Sequence, residues 1–173
     1  MKKLFYTLFI CSMFFVSSNA IDTDEILNAA KNKQLNSLTF KQYDVFSQNA
    51  NIPKEEKIAF KHNHKGKPAL IESIIKENFE AFQELVKYLK DNNIDFTKIK
   101  DKKGNNVFHY ASIKKSENYI KFLLNNLSKD QNQILIFAKN NKELIPLKLL
   151  AKNQKNLSQS TKNKIDILVP EKN

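Results

Sequence analysis

Apolar residues recur with helical spacing along most of the chain, and no convincing alternation of apolar and polar residues indicates a β-strand. Residues three to four positions apart lie on one face of a helix, so this spacing predicts amphipathic helices. Short connections rich in Asn, Lys and Asp separate them, which favours helix pairs in a bundle or in a repeat solenoid. We therefore predict an all-α fold from five apolar stretches, which cover residues 26–40, 69–89, 107–127, 133–151 and 165–169.

The N-terminal segment, residues 1–20, has the layout of a secretory signal peptide. Lys2 and Lys3 precede an apolar run over residues 4–16, and Ser18 and Ala20 are small residues at the two specificity positions of a cleavage site. The apolar run is shorter than the roughly 20 residues that span a bilayer. We predict cleavage after Ala20 and export to the periplasm or the outside of the cell; a retained membrane anchor is the alternative.

The two glycines of the chain, Gly66 and Gly104, occur in similar surroundings. Each follows two polar residues and precedes two residues, Lys-Pro or Asn-Asn, that lead into an apolar helix start. A third copy over residues 140–151 keeps this pattern at nearly the same spacing, with Glu143 at the position of the glycine. Glycine is favoured where the backbone needs a positive φ, so this coincidence indicates an internal repeat.

The segment over residues 101–124 resembles the ankyrin repeat. Asp101 and Gly104 match the D-x-x-G start of the family pattern, and residues 106–109 (Asn-Val-Phe-His) correspond to T-P-L-H, with His109 identical. Ala111 and the serine after it correspond to the small pair of the family. The copy at Gly66 is more degenerate, and the third copy keeps Pro146 and the leucine that follows it.

The resemblance implies a solenoid of about four helix pairs that follows the signal peptide. The spacings from Gly66 to Gly104 and from Gly104 to Glu143 exceed the usual repeat length of about 33 residues, so we expect extended outer helices or links. A generic helical bundle is the alternative. The predicted segments are a signal peptide (1–20), N-terminal capping helices with an extended segment (21–62), ankyrin-like repeats (63–169, divided as 63–100, 101–139 and 140–169) and a tail (170–173).

The resemblance also assigns structural and binding roles to residues. The His of the family pattern usually bonds to the backbone of the neighbouring loop, and we expect the same of His109. Small residues such as Ser73, Ala111 and Ala151 would let the inner helices approach closely. The residues to which we assign a structural role in the repeats are Gly66, Asp101, Gly104, His109, Ala111 and Pro146.

Charge adds a prediction about the binding face. The chain has no arginine, and its 29 basic residues are all lysine, against 18 acidic residues. Just over half of the positions that correspond to the variable contact positions of the family are lysine, and none is acidic. Coding bias towards lysine is the simpler explanation of the overall charge. The placement predicts a basic concave face formed by Lys65, Lys67, Ile75, Lys76, Lys102, Lys103, Ile113, Lys114, Lys142, Leu144 and Lys152.

Composition leaves few residues for catalysis. The only cysteine lies in the predicted signal peptide, and His62 and His64 have no third ligand spaced nearby for a metal ion. We predict a non-catalytic protein-binding module without cofactor or metal, whose partner is an acidic protein. Nucleic acid is disfavoured because arginine is absent and export is expected. The alternatives are peripheral binding to anionic lipid or polysaccharide of the cell envelope, and an enzyme of unknown type.

Overall fold

The computed structural model describes residues 23–35, 58–60, 63, 65–114, 116–152, 155 and 157–169. The predicted signal peptide, most of the predicted extended segment before residue 63, and the tail lie outside the described residues. Among the described helices, none has the length and apolar character required to cross a membrane.

Helices make up most of the described part of the chain, and it contains no β-strand. Residues 58–60 are also helical. The longer helices are α1 (Thr23–Lys31), α2 (Ala69–Ile75), α3 (Phe79–Asp91), α4 (Val107–Lys114), α5 (Glu117–Asn126), α6 (Lys129–Phe137), α7 (Pro146–Lys152) and α8 (Gln159–Asp166), with one 3-10 turn at Phe96–Lys98.

The helices form two layers. In the inner layer α2 packs on α4 and α4 packs on α7, while the outer helices α3 and α5 each pack on the inner helix that precedes them. Helix α1 covers both α2 and α3. The small residues Ser73 and Ala111 are fully buried in the inner helices, as the close approach of these helices requires. Ala151, which we expected in the same role on α7, is instead exposed.

Aromatic rings form the contact between the outer helices α3 and α5. Phe79 and Phe82 of α3 face Tyr119 and Phe122 of α5, and the rings of Phe82 and Tyr119 meet edge to face with centroids 4.9 Å apart. Phe79 meets Tyr119 in the same way at 5.0 Å. Such pairs add roughly 0.5–1.5 kcal/mol beyond the burial of their surface. The large residues of the outer helices therefore hold neighbouring repeats in one core.

The residues that lengthen the repeats form structure of their own. The first repeat contains the 3-10 turn after α3, and the second contains the additional helix α6 between α5 and the third loop. Ser128 begins α6 with a capping box, in which its hydroxyl accepts from the Gln131 N–H and the Gln131 side chain accepts from the Ser128 N–H. Helix α6 packs against the 3-10 turn and α7, so the extra length contributes to the core.

The carboxylate of Glu117 joins the start of the last helix, α8, to the second repeat. Glu117 at the start of α5 accepts hydrogen bonds from the Ser158 N–H at 3.1 Å and from the Thr161 hydroxyl at 2.6 Å. The Ser158 hydroxyl donates to the same carboxylate and has the largest effect on its pKa. Together these hydrogen bonds hold the pKa of Glu117 below its ordinary value. The second and last helix pairs are thus joined by polar contacts as well as by apolar packing.

Candidate protein-binding face

Three loops with one geometry precede the inner helices. Each begins with an Asn or Asp whose side-chain oxygen accepts the backbone N–H groups two and four residues further on. The acceptor is Asn63 in the first loop, with both distances 3.0 Å. It is Asp101 in the second, with both distances 2.8 Å, and Asn140 in the third, with distances of 2.9 and 3.1 Å. The same hydrogen bonds in three loops confirm that the copies are structural repeats.

The fourth residue of each loop has a left-handed backbone. The φ angles are 73° at Gly66, 76° at Gly104 and 57° at Glu143. A positive φ is strained for a residue with a Cβ, which explains why the only two glycines of the chain occur here. Glu143 takes the same conformation in the third copy, and its carboxylate pairs with Lys139 at 2.6 Å.

Hydrogen bonds join each loop to the next. The Lys102 N–H donates to the Gly66 carbonyl at 3.1 Å, and the Asn141 N–H donates to the Lys103 carbonyl at 3.0 Å. The Asn140 amide also donates to the side-chain oxygen of Asn105 at 2.7 Å. We call the described residues of the three connected loops, 63, 65–67, 101–105 and 140–144, the loop ridge. Because its backbone is held by these bonds, its side chains project from a fixed support.

His109 ties the second inner helix to the third loop. Its ring nitrogen Nε2 donates to the Leu144 carbonyl at 3.0 Å, while Nδ1 accepts from the Asn106 N–H at 3.2 Å. The contacts of Nε2 with the Leu144 carbonyl and of Nδ1 with the Asn106 N–H together assign the proton to Nε2, and Nδ1 also lies 2.9 Å from the side-chain oxygen of Asn106. Burial lowers the pKa of His109 despite the hydrogen bond to Leu144, which keeps the ring neutral. His109 of α4 thus bonds to the backbone of the third loop.

Asp101 is the polar centre of the second loop. Besides the two backbone N–H groups, its carboxylate accepts from the Tyr110 hydroxyl at 2.7 Å and from the Asn105 amide at 3.1 Å. Burial alone would raise the pKa of Asp101, but these hydrogen bonds outweigh it and leave the pKa below its ordinary value. Burial, reinforced by this carboxylate, raises the pKa of Tyr110. The ring of Tyr110 lies 5.8 Å from the Lys67 ammonium.

Four of the predicted binding lysines lie on the loop ridge with exposed side chains. We call Lys65, Lys102, Lys103 and Lys142 the loop lysines. None of the four forms an ion pair with an acidic residue in the described part of the chain. The aliphatic stem of Lys102 lies across Gly66, close enough that a Cβ added there would be 2.5 Å from its Cδ. The loop ridge therefore carries four exposed cationic groups that form no ion pair among the described residues, while its own Glu143 pairs with Lys139.

The predicted lysines at the ends of the inner helices have different surroundings. Lys76 forms an ion pair with Asp24 of α1, and Lys114 pairs with Glu77 at 3.0 Å. Both acidic residues lie outside the contact positions from which we predicted a purely basic face. This end of the face is therefore mixed in charge. Lys152, at the end of α7, is exposed.

The predicted apolar contacts differ in exposure. Ile113 is 55% exposed and Leu144 is 42% exposed, so both can contact a partner. Ile75 is half-buried and packs against the core. Leu144 lies on the loop ridge, and its carbonyl is the acceptor of the His109 bond, which fixes its position. The three residues thus include two available apolar anchors and one that belongs largely to the core.

A family model described as Ankyrin repeats (3 copies) matches residues 26–134. The chain belongs to the ankyrin-repeat family. No curated protein and no solved structure matches the chain significantly. Domains of this family typically act as non-catalytic modules for protein–protein interaction, which supports the predicted class of function.

The third loop of this ankyrin-repeat protein lies beyond the matched residues. Its assignment depends on geometry, because Asn140 and Glu143 reproduce the bonds and the backbone angle of Asp101 and Gly104. Of the other residues to which we assigned a structural role, Ala111 is fully buried and Pro146 is buried as the first residue of α7.

Sequence reasoning missed the side chains that build the loop ridge. Asn63 and Asn140 were not singled out, although they precede and follow Asp101 at nearly equal distances along the chain. That shared spacing is the signal that could have identified them. Among the described residues, no group of three or more His, Cys, Asp or Glu side chains could hold a metal ion.

Proposed function

We propose that this ankyrin-repeat protein binds an acidic protein through the loop lysines. The observation that carries the proposal is the set of four exposed lysines on hydrogen-bonded loops, with no acidic partner among the described residues. Opposite charge on a partner accelerates association and fixes orientation more than it adds affinity. The affinity then comes from a few apolar anchors, for which Leu144 and Ile113 are available.

Rigid support favours this use of the loop ridge. Binding costs free energy for every segment that must be ordered, and a preformed surface avoids much of that cost. The Asx bonds within each loop and the bonds between loops hold the backbone before a partner arrives. Only the lysine side chains and the partner's acidic side chains remain to be ordered.

Export is the second element of the proposal. Three features of the N-terminal segment support export: its basic start, its apolar run and the small residues at positions 18 and 20. Sequencing of the mature protein from the envelope or the medium should then begin at Ile21. Recovery of an intact N-terminus in the membrane fraction would contradict export and favour a retained anchor.

Charge reversal tests the binding surface. We expect a variant with all four loop lysines changed to Glu to lose the partner that the wild-type protein captures by crosslinking and affinity purification. A matched control changes Lys87, Lys90, Lys121 and Lys129, which are exposed lysines of α3, α5 and α6, to Glu. This control should retain binding. Both variants should melt near the wild-type temperature, since exposed charges contribute little to stability.

Salt and lipid measurements separate the alternatives. Association with the acidic protein should slow as salt rises, because screening confines the field to about 8 Å at physiological ionic strength. If the wild-type protein captured no protein but bound anionic vesicles, and both charge-reversal variants lost that vesicle binding equally, the result would favour peripheral binding to lipid or polysaccharide. Unchanged protein capture by the loop variant would contradict the proposal.

A further inference from the structure

A cavity of about 380 Å³ opens between the turn that joins α2 to α3 and the start of α5. Pockets for small molecules have volumes of about 300–1,000 Å³, so this cavity suits a ligand at the small end of that range. It lies at the ends of the inner helices that are opposite the loop ridge. We call it the turn pocket, and its lining consists of Glu77, Phe79, Lys114, Ser116, Asn118 and Tyr119.

Hydrogen-bond donors surround much of the turn pocket. Helix α5 begins at its wall, and the N–H groups in the first turn of a helix have no acceptor within that helix. Ser116 is the N-cap residue, but its side chain does not accept a hydrogen bond from these N–H groups. The Lys114 ammonium and the Asn118 amide also line the cavity. A helix N-terminus beside a lysine favours a negatively charged group such as a carboxylate.

Tyr119 adds a buried hydroxyl that lacks a hydrogen-bond partner. The residue is only 4% exposed, and its hydroxyl makes no hydrogen bond in the described part of the chain. Burial raises the pKa of Tyr119, and the nearby charge of Glu77 raises it further, so the hydroxyl keeps its proton and can donate. Buried polar groups are nearly always hydrogen-bonded, because leaving one unsatisfied is unfavourable. This hydroxyl in the pocket wall therefore indicates a polar ligand.

Glu77 gives the turn pocket a negative charge beside its donors. The carboxylate pairs with Lys114 at 3.0 Å, but 72% of the Glu77 side chain is exposed. An exposed ion pair of this kind contributes little free energy, so both groups can exchange it for the charges of a ligand. A ligand that carries only a carboxylate would lie close to the like charge of Glu77. A ligand that also carries a cation keeps the pocket balanced in charge.

We propose that the turn pocket binds a free α-amino acid in its zwitterionic form. The carboxylate of the amino acid accepts hydrogen bonds from the first turn of α5 and from the Tyr119 hydroxyl, and it pairs with Lys114. The ammonium of the amino acid pairs with Glu77. The ring of Phe79 gives the side chain of the amino acid an apolar surface to contact. The site does not use the loop lysines, so it adds a second ligand to the acidic protein proposed above.

Thermal shift and isothermal titration calorimetry of the full chain with each of the standard L-amino acids test the proposal. At least one should raise the melting temperature and bind at one molecule per chain. Its amide lacks the carboxylate and its N-acetyl derivative lacks the ammonium, so each should bind about tenfold more weakly or worse. Absence of binding by all of the amino acids overturns the proposal, and so does undiminished binding of the amide or of the N-acetyl derivative.

Two variants locate the site. Tyr119→Phe removes only the hydroxyl and should weaken binding about tenfold, while the protein melts no lower than the wild type, because an unpartnered hydroxyl does not stabilise the fold. Glu77→Gly removes the carboxylate at a backbone φ of 56°, which glycine adopts without strain, and should also weaken binding in a folded protein.

Matched controls separate the site from general effects on backbone and charge. Asn93→Gly replaces another residue with a positive φ, 57°, and Glu80→Gln removes an exposed charge of α3. Both control variants should bind the amino acid as the wild type does. Unchanged binding by Tyr119→Phe or by Glu77→Gly overturns the proposal, and so does an equal loss of binding in the control variants.

Discussion

His109 is a neutral residue whose burial makes stability depend on pH. Because burial lowers its pKa in the folded protein below the ordinary value of 6.5, the unfolded chain binds the proton more readily. This stabilising contribution of the neutral ring is fully present above the unfolded pKa and is lost as pH falls below it towards the lower pKa of the folded protein. We expect urea unfolding at a series of pH values to show this loss.

The variant His109→Gln isolates this contribution. It removes the titrating ring, while His62 and His64 remain in both proteins. The free energy of unfolding of the variant should therefore be lower at neutral pH but change less as pH falls below the ordinary histidine pKa of 6.5. If the free energy of unfolding changed with pH by the same amount in both proteins, His109 would not be the group whose protonation lowers the stability.

Gly66 and Gly104 differ in what an added side chain would meet. Both have a positive φ, so replacement by Val should cost about 1–3 kcal/mol at either position. A Cβ at Gly104 would lie 3.1 Å from the backbone nitrogen of Asn141, which cannot move easily. At Gly66 it would meet the flexible side chain of Lys102. Thermal unfolding should show a larger loss for Gly104→Val than for Gly66→Val; equal melting of both variants and the wild type would contradict the repeat geometry.

At the scale of the elements, the Asx residue at the start of each loop stabilises the loop ridge. Asn140→Ala removes the acceptor of two backbone N–H groups and the donor to Asn105, so it should lower the free energy of unfolding by about 1–3 kcal/mol. Asn141→Ala is the matched control, because among the described residues its exposed amide makes a single side-chain bond, to the Lys102 carbonyl. Urea unfolding should separate the two variants. Similar losses from both would mean that the Asx bonds do not hold the loop.

The repeats could be predicted at this scale because their signal is local. Gly66, Gly104 and Glu143 all have a positive φ, and at the first two positions the glycine itself indicates this conformation. The helices can be predicted from the spacing of the apolar residues. Helix α6 was not resolved in advance, because its apolar residues run into those of α7 over residues 133–151. Periodicity cannot separate two helices when the link between them is short and contains Leu144.

At the scale of the whole molecule, contacts between distant segments determine which of the predicted lysines form ion pairs, and these contacts could not be predicted from the sequence. Lys76 and Asp24 are far apart in the chain, so their ion pair depends on how α1 packs against the repeats. The pairing of Lys114 with Glu77 has the same origin, since it joins successive helix pairs. The basic surface is therefore narrower than the family contact positions implied. It lies on the loop ridge, where the loops themselves hold the lysines in place.

The loop ridge as a binding surface is the central claim, and lysine reactivity measures it on the unmodified protein. The native protein is acetylated alone and in complex with the acidic protein that the proposal expects it to bind, and mass spectrometry gives the reactivity of each lysine. Binding should protect Lys65, Lys102, Lys103 and Lys142 and leave the exposed outer-helix lysines Lys87, Lys90 and Lys121 as reactive as before. Protection confined to the outer helices, or no protection of the loop lysines in a saturated complex, would contradict the account.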